Sequence, residues 1–277
     1  MTDDIAAAGP RSLTVPYRIR FDEAGPDGLA RGSALLQVAG DVAWLHSLAL
    51  GFTRDWYAER GLGWLVRAVD VRILAPVAYG TEVHVRTAVV GWRRVMVRRE
   101  SPVTAADGTI VAVIRTDWVL IDERGAPARI PQDFADRVAQ VPVGFDPLRV
   151  DRSEPPASAL SRDLTVHARE LDPLGHVNNG VFLDYLEEAV AAAGGGATLA
   201  ALPRRYALEY VGPATSGDAL RARAWPTPDG WSHRLERAAD GAVLLRGTLA
   251  TGDGSRAAGG AWATGAPGPT DRSAGPD

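Results

Sequence analysis

One pattern constrains this chain more than any other, and it occurs twice: a long helix with a single apolar stripe, followed by strand-like runs broken at turn residues. In the first half, Ser33 can cap a helix over residues 34–50, with Leu35, Val38, Val42, Leu45 and Ala49 on one face at helical spacing. Gly51 ends it, and Thr53 can cap a shorter helix that stops before Gly61. Strand-like runs follow at 62–74, 81–90, 93–105 and 109–122, the last entered through Asp107-Gly108, a hairpin signal. In the second half, a strand at 164–169 leads into a loop holding Asp172, Pro173 and Gly175, then a helix over 180–193. Its stripe is Val181, Phe182, Tyr185, Leu186, Ala189 and Val190; Asp184, Glu187, Glu188 and Ala191 form the opposite face. Gly194-Gly195-Gly196 ends this helix, and runs at 204–211, 218–226, 231–238 and 243–251 complete the half.

A helix with one greasy stripe must be covered, and so must a sheet with one greasy face. A curved antiparallel sheet wrapped around a long central helix satisfies both. The expected fold is therefore α+β, a tandem (double) hotdog. Its expected organisation is a disordered tail at 1–11, an N-terminal hotdog at 12–140, a Pro-punctuated linker at 141–160, a C-terminal hotdog at 161–252 and a disordered tail at 253–277. The two sheets are expected to pair side by side, making one chain a pseudo-dimer, alone or as a homodimer.

Composition removes several chemistries. The 277 residues contain no Cys, and all 30 basic residues are Arg. A thiol nucleophile, thiolate metal sites, a Schiff-base lysine and a P-loop lysine are excluded. The net charge of −4 gives no basic field for nucleic acid. No apolar stretch approaches the roughly 20 residues that span a bilayer. Residues 1–11 carry Asp3 and Asp4 and no apolar core, so no signal peptide is read there and cytoplasm is the default expectation. His46, His84, His167 and His233 lack spaced partners, so neither a metal nor another cofactor is expected.

The most specific string is Asp172-Pro173-Leu174-Gly175-His176-Val177-Asn178-Asn179-Gly180, between a strand and a central helix. It resembles the Asp-x-x-Gly-His-Val-Asn-Asn signature of 4-hydroxybenzoyl-CoA thioesterase-like hotdog enzymes and the related stretch of acyl-carrier-protein (ACP) thioesterases. In the first half, Trp64-Leu65-Val66-Arg67, Gly80-Thr81-Glu82-Val83, Val97-Arg98-Arg99 and Trp118-Val119-Leu120-Ile121-Asp122 resemble the ACP enzymes. Two departures stand out. Leu174 occupies a position held by Asn in the plant enzymes, and Pro213-Ala214 replaces their Glu-Cys pair. The stretch Tyr210-Val211-Gly212-Pro213-Ala214 looks instead like the single-hotdog CoA enzymes.

The resemblance implies a thioester hydrolase releasing a fatty or polyketide-type acid from acyl-ACP or acyl-CoA. It implies roles for Asp172 as general base or nucleophile and for His176 as donor or water-positioning group. An Asn178 or Asn179 cap would leave helix amides, down to Gly180, pointing at a developing oxyanion. On local grounds alone, an Asp before Pro is a turn residue and Asn-Asn before a helix is a cap. Arg94 and Arg98, placed on one strand face by alternation, are candidates for CoA phosphates or an acidic carrier, against solvated strand residues. Glu187 and Glu188 are candidates for a substrate role, against a solvated or interface face. The first half lacks the string, so it is expected to supply acyl pocket and carrier docking. Two other readings stay open: a double-hotdog dehydratase or hydratase, and a non-catalytic acyl-binding or cyclisation-assisting protein.

Overall fold

The computed structural model describes residues 11–138, 145, 148 and 150–252. Strand β1 (Ser12–Arg18) leads through a 3-10 turn at Phe21–Glu23 into helix α1 (Gly32–Ala49). A short α2 (Arg54–Ala58) follows, with Thr53 accepting from Trp56 N as its cap. Then come β2 (Leu62–Ile73), β3 (Glu82–Arg93), β4 (Met96–Ala105), β5 (Ile110–Asp122) and α3 (Gln132–Arg137). The second half runs β6 (Leu160–Thr165), a 3-10 turn at Ala168–Glu170, α4 (Asn179–Ala192), α5 (Gly196–Ala200), β7 (Arg204–Tyr210), β8 (Ala219–Thr227), β9 (Gly230–Arg237) and β10 (Val243–Thr251). The calls on residues 1–10 and 253–277, and part of that on 141–160, lie outside the described residues.

All strands join one antiparallel sheet in the order β1-β3-β4-β5-β2-β7-β10-β9-β8-β6. The order reads the same from either end once each strand is matched to its counterpart in the other half. The tandem hotdog expected from the sequence is thus the fold, and the halves meet at β2 and β7. There Ala68 faces Glu209 and Ile73 faces Arg204 across the seam. The apolar stripes of α1 and α4 close the inner face: Leu35, Val42, Leu183, Leu186 and Val190 are buried with Val69, Val71, Leu208 and Leu235 of the sheet. Burying each such side chain fully is worth about 1.5–3 kcal/mol.

The outer face of the seam is ionic. Asp70 is 2% exposed and accepts from Arg205 Nε at 2.8 Å. Glu209 is 4% exposed and accepts from Arg67 at 2.7 Å and from Arg152 at 2.8 Å. Buried charges are tolerated only when paired, and here the pairs run across the seam from β2 to β7. The segment after α3 crosses the same face. Leu148 N donates to Asp117, Arg152 reaches Glu209, and Glu154 receives Arg234.

Several expectations need correction. Arg31, not Ser33, is the N-cap of α1, and Leu45 and Ala49 of its expected stripe are exposed. The first strand of the second half ends at Thr165 rather than Arg169, because Glu170 reaches back to His167 N and winds 168–170 into a turn. Of the α4 face read as solvated or interface, Asp184 and Glu187 take the interface, half-buried where α4 packs against α1, and Glu188 is solvated. Arg94 sits in the turn between β3 and β4, so strand alternation does not pair it with Arg98. No helix among the described residues is long and apolar enough to cross a membrane.

Candidate active site

The loop that enters α4 is built by a carboxylate and by its own turn. Glu170 accepts from His167 N at 2.7 Å and from the Tyr185 hydroxyl at 2.8 Å. Burial, with Glu170 as hydrogen-bond partner, pushes the Tyr185 phenol well above its ordinary value, so it stays a donor. Asp172 N donates to His176 O at 2.7 Å, and Gly175, at φ 77°, turns the chain between them. Asp172 Oδ1 accepts from Leu174 N at 2.8 Å and from His176 N at 3.3 Å. Two amides thus fix the carboxylate's orientation and leave Oδ2 without a protein partner among the described residues. The His176 side chain is half-buried.

Helix α4 starts on a brace. Val177 N donates to Ala214 O at 2.9 Å, and the Tyr210 hydroxyl donates to Asn179 O at 2.9 Å. The Tyr210–Ala214 stretch therefore fastens the helix start to the sheet. Asn178 is the cap: its Oδ1 accepts from Gly180 N at 2.9 Å. Val181 N turns back to Asn178 O. Of the amides that open the helix, that of Asn179 has no acceptor among the described residues, while that of Gly180 is taken. The structure thus brings Asp172, His176, Asn178, Asn179 and Gly180 into one loop–helix corner.

The substrate and carrier candidates lie elsewhere. Arg98 gives Nε and Nη2 to Asp117 at 2.6 and 2.7 Å and stacks over Phe145, so its guanidinium is already committed. Arg94 is exposed on the β3–β4 turn. Glu188 is exposed and pairs with Arg162 at 3.3 Å. Glu187 accepts from the Tyr206 hydroxyl, and an ideal Cβ on Gly32 would lie 3.5 Å from its Oε1. It faces the start of α1, not the 172–180 corner. Burial raises its carboxyl above the ordinary value.

The start of α1 repeats the corner's backbone. Glu23 accepts from Arg20 N and the Tyr17 hydroxyl; Gly25 N donates to Leu29 O at 2.8 Å; Gly28 has φ 75°; and Ala30 N donates to Val77 O at 2.8 Å. Gly25 thereby stands where Asp172 stands, Leu29 where His176 stands, and Arg31 and Gly32 where Asn178 and Asn179 stand. A surface cavity of about 410 Å³ lies against this first-half loop, lined by Phe21, Gly25, Pro26, Arg31 and Tyr79 among others. Phe21 and Tyr79 stack edge-on at 5.6 Å. Neither this cavity nor the small one beside Leu29 and Ile73 is lined by residues 172–180.

Two hotdogs joined edge to edge in one sheet define the fold class, a tandem hotdog. Residues 11–138 match the family described as acyl-ACP thioesterase N-terminal domain, and residues 174–228 match the thioesterase superfamily. The chain is a thioesterase, a thiolester hydrolase. No curated protein sequence matches it. Three solved structures share its fold over nearly their whole length. A Lactobacillus plantarum protein assigned as an oleoyl thioesterase has TM-score 0.76 and 22% identity, covering 88% of this chain and 98% of its own. The 12:0-ACP thioesterase from Umbellularia californica has TM-score 0.73 and 20% identity, covering 87% and 97%. An acyl-ACP thioesterase from Bacteroides thetaiotaomicron has TM-score 0.71 and 18% identity, covering 87% and 97%.

Proposed function

We propose that this thioesterase releases a free fatty or polyketide-type acid from an acyl-carrier-protein or CoA thioester, at the single corner formed by residues 172–180. The observation that carries the reading is the contrast between two loops of one backbone, of which only the second holds an acid and an imidazole. Asp172, oriented by the amides of Leu174 and His176, presents its other oxygen to water or to the thioester carbon. The Asn179 amide, at the positive end of α4, receives the carbonyl oxygen as it becomes an oxyanion. His176 donates to that oxygen or positions the water.

The carrier-protein substrate is favoured because the first half matches an ACP-enzyme domain. In this reading, residues 12–140 supply acyl pocket and docking surface, and 161–252 the chemistry. Thiol release, followed with Ellman's reagent on matched acyl-ACP and acyl-CoA panels, tests the proposal. The expected result is release on at least one panel, with Asp172→Asn slower by about 10²–10⁴-fold. Near-normal turnover in that variant contradicts the assignment of Asp172. A binding-only reading has one observation on its side, the surface cavity against the first-half loop, which lies apart from the 172–180 corner. No thiol release by the unaltered chain on any panel member would favour it.

A further inference from the structure

The active corner faces α1 of the other half, and one side chain crosses the gap. Gln37 Nε2 donates to Asn178 Oδ1 at 3.4 Å. An ideal Cβ on Gly180 would lie 2.8 Å from the same Nε2 and from Gln37 Cγ. This places the amide beside the first turn of α4, at the cap residue that precedes its free amide. It also explains why a glycine stands at 180: any side chain there would evict Gln37.

The 3.4 Å bond is long for N–H···O. Asn178 Oδ1 already has a better donor in Gly180 N at 2.9 Å. Gln37 therefore gives up little by turning its N–H elsewhere. Its exposed position leaves it free to move.

The matching place at the start of α1 shows what this choice of residue does. There the residue facing the helix across the gap is Asp184, hydrogen-bonded to Ser33, and one turn further Glu187 approaches Gly32. The counterpart of Glu187 on α1 is Gly40, around which an added Cβ would meet nothing within 4 Å. One helix start is thus covered by carboxylates, which repel a developing negative charge. The other meets a neutral amide donor beside open space.

We infer that Gln37 is the second donor to the thioester oxygen, paired with the Asn179 amide, and that Gly40 leaves the room through which the thioester reaches them. The active site is then composite: acid, imidazole and helix amide from the second half, side-chain amide from the first. The inference rests on the hydrolytic reading above. A thioester carbonyl seated between Asn179 N–H and Gln37 Nε2 gains a donor whose bond strengthens as charge accumulates on oxygen.

The test is steady-state hydrolysis by Gln37→Ala, Gln37→Glu and Gly40→Glu beside the unaltered chain and Asp172→Asn, with thermal midpoints and far-ultraviolet spectra for each. Gln37→Ala is expected to lower kcat by about 10²-fold with KM little changed, the mark of an interaction made in the transition state. Gln37→Glu is expected to fall further, since it sets a carboxylate against the oxyanion. Gly40→Glu is expected to abolish turnover by recreating the covered state of the other helix start. If the unaltered chain turns over, Asp172→Asn does not, and Gln37→Ala keeps its kcat, the inference is wrong and the hydrolytic reading stands. A fall in kcat matched by a fall in folded fraction also overturns it, leaving Gln37 a structural role. No turnover by the unaltered chain ends both.

Discussion

The turn before α1 and the turn before α4 have the same backbone and opposite chemistry. Each has a Glu that reaches back three residues, a left-handed Gly, a closing amide bond and a loop carbonyl, four residues past a strand, that accepts from the residue before the helix cap. Yet Gly25 and Leu29 stand against Asp172 and His176. The glutamates that hold both corners in shape are therefore separate from the residues proposed to do the chemistry of one of them. A scaffold of hydrogen bonds from Glu23 or Glu170 persists whether or not the loop carries reactive groups. What faces each helix start from the other half differs as sharply: Gln37 and Gly40 on one side, Asp184 and Glu187 on the other.

The strongest way to break this comparison is to move the chemistry. In a chain already carrying Asp172→Asn, adding Gly25→Asp and Leu29→His is expected to restore none of the about 10²–10⁴-fold lost turnover. The carboxylates of Asp184 and Glu187 still cover that helix start. Recovered thiol release would show that the loop residues alone make a site.

The scaffold can be tested apart from the chemistry. Glu23→Ala and Glu170→Ala each remove hydrogen bonds from a backbone amide and a tyrosine, so each is expected to cost about 2–3 kcal/mol in urea unfolding. Only Glu170→Ala is expected to slow hydrolysis as well. Equal loss of activity in both would mean that the first-half turn is part of the reaction.

Buried polar groups on the inner sheet face also divide the halves. Arg99 is met by His46 Nδ1 at 2.7 Å and Ser47 Oγ at 3.0 Å, while neither ring nitrogen of His233 has a partner. Burial holds the His233 imidazole down from 6.5 to about 3. Between those values the unfolded chain binds a proton that the folded chain refuses. Its contribution to stability is thus full above pH 6.5 and falls as pH drops toward 3, by about 1.4 kcal/mol per unit. His233→Leu is expected to lack that slope, so that below about pH 6.5 the variant gains on the parent as pH falls, measured by urea unfolding at pH 7, 6 and 5. An unchanged slope would contradict a buried neutral imidazole.

The smallest effect concerns the covered helix start. Burial raises the Asp184 carboxyl to about 6, against the opposing hydrogen bond from Ser33 and with help from the Glu187 charge. Its ionised form is disfavoured by folding, so stability is lost as pH rises from about 4 through 6. Asp184→Asn is expected to gain about 1–2 kcal/mol at pH 8 and nothing at pH 4. A loss at pH 8 would mean that the α1 start needs the charge.

Much of this was legible in the residues, and the exceptions have physical causes. The stripes of α1 and α4 and the Asp-Gly turns give element type and order, because helical and strand periods differ. The Asp172–Gly180 string locates the corner, because its spacing is a local property of one loop. Gln37 is invisible in sequence: on its own helix it is an exposed polar residue, and its meaning comes from α4, more than a hundred positions away. The sequence leaves Asp184 and Glu187 between a solvated and an interface face for the same reason, since only the packing of the two helices decides. Arg98 looks available until Asp117, on the neighbouring strand, is seen to hold it.

The central claim is that each chain has one place where a thioester can sit. Calorimetric titration with a thioether analogue of the preferred acyl substrate, which binds but does not hydrolyse, counts such places directly. One equivalent bound per chain, weakened by Gly40→Glu, is the expected result. Two equivalents, or one that Gly40→Glu leaves untouched, would contradict it.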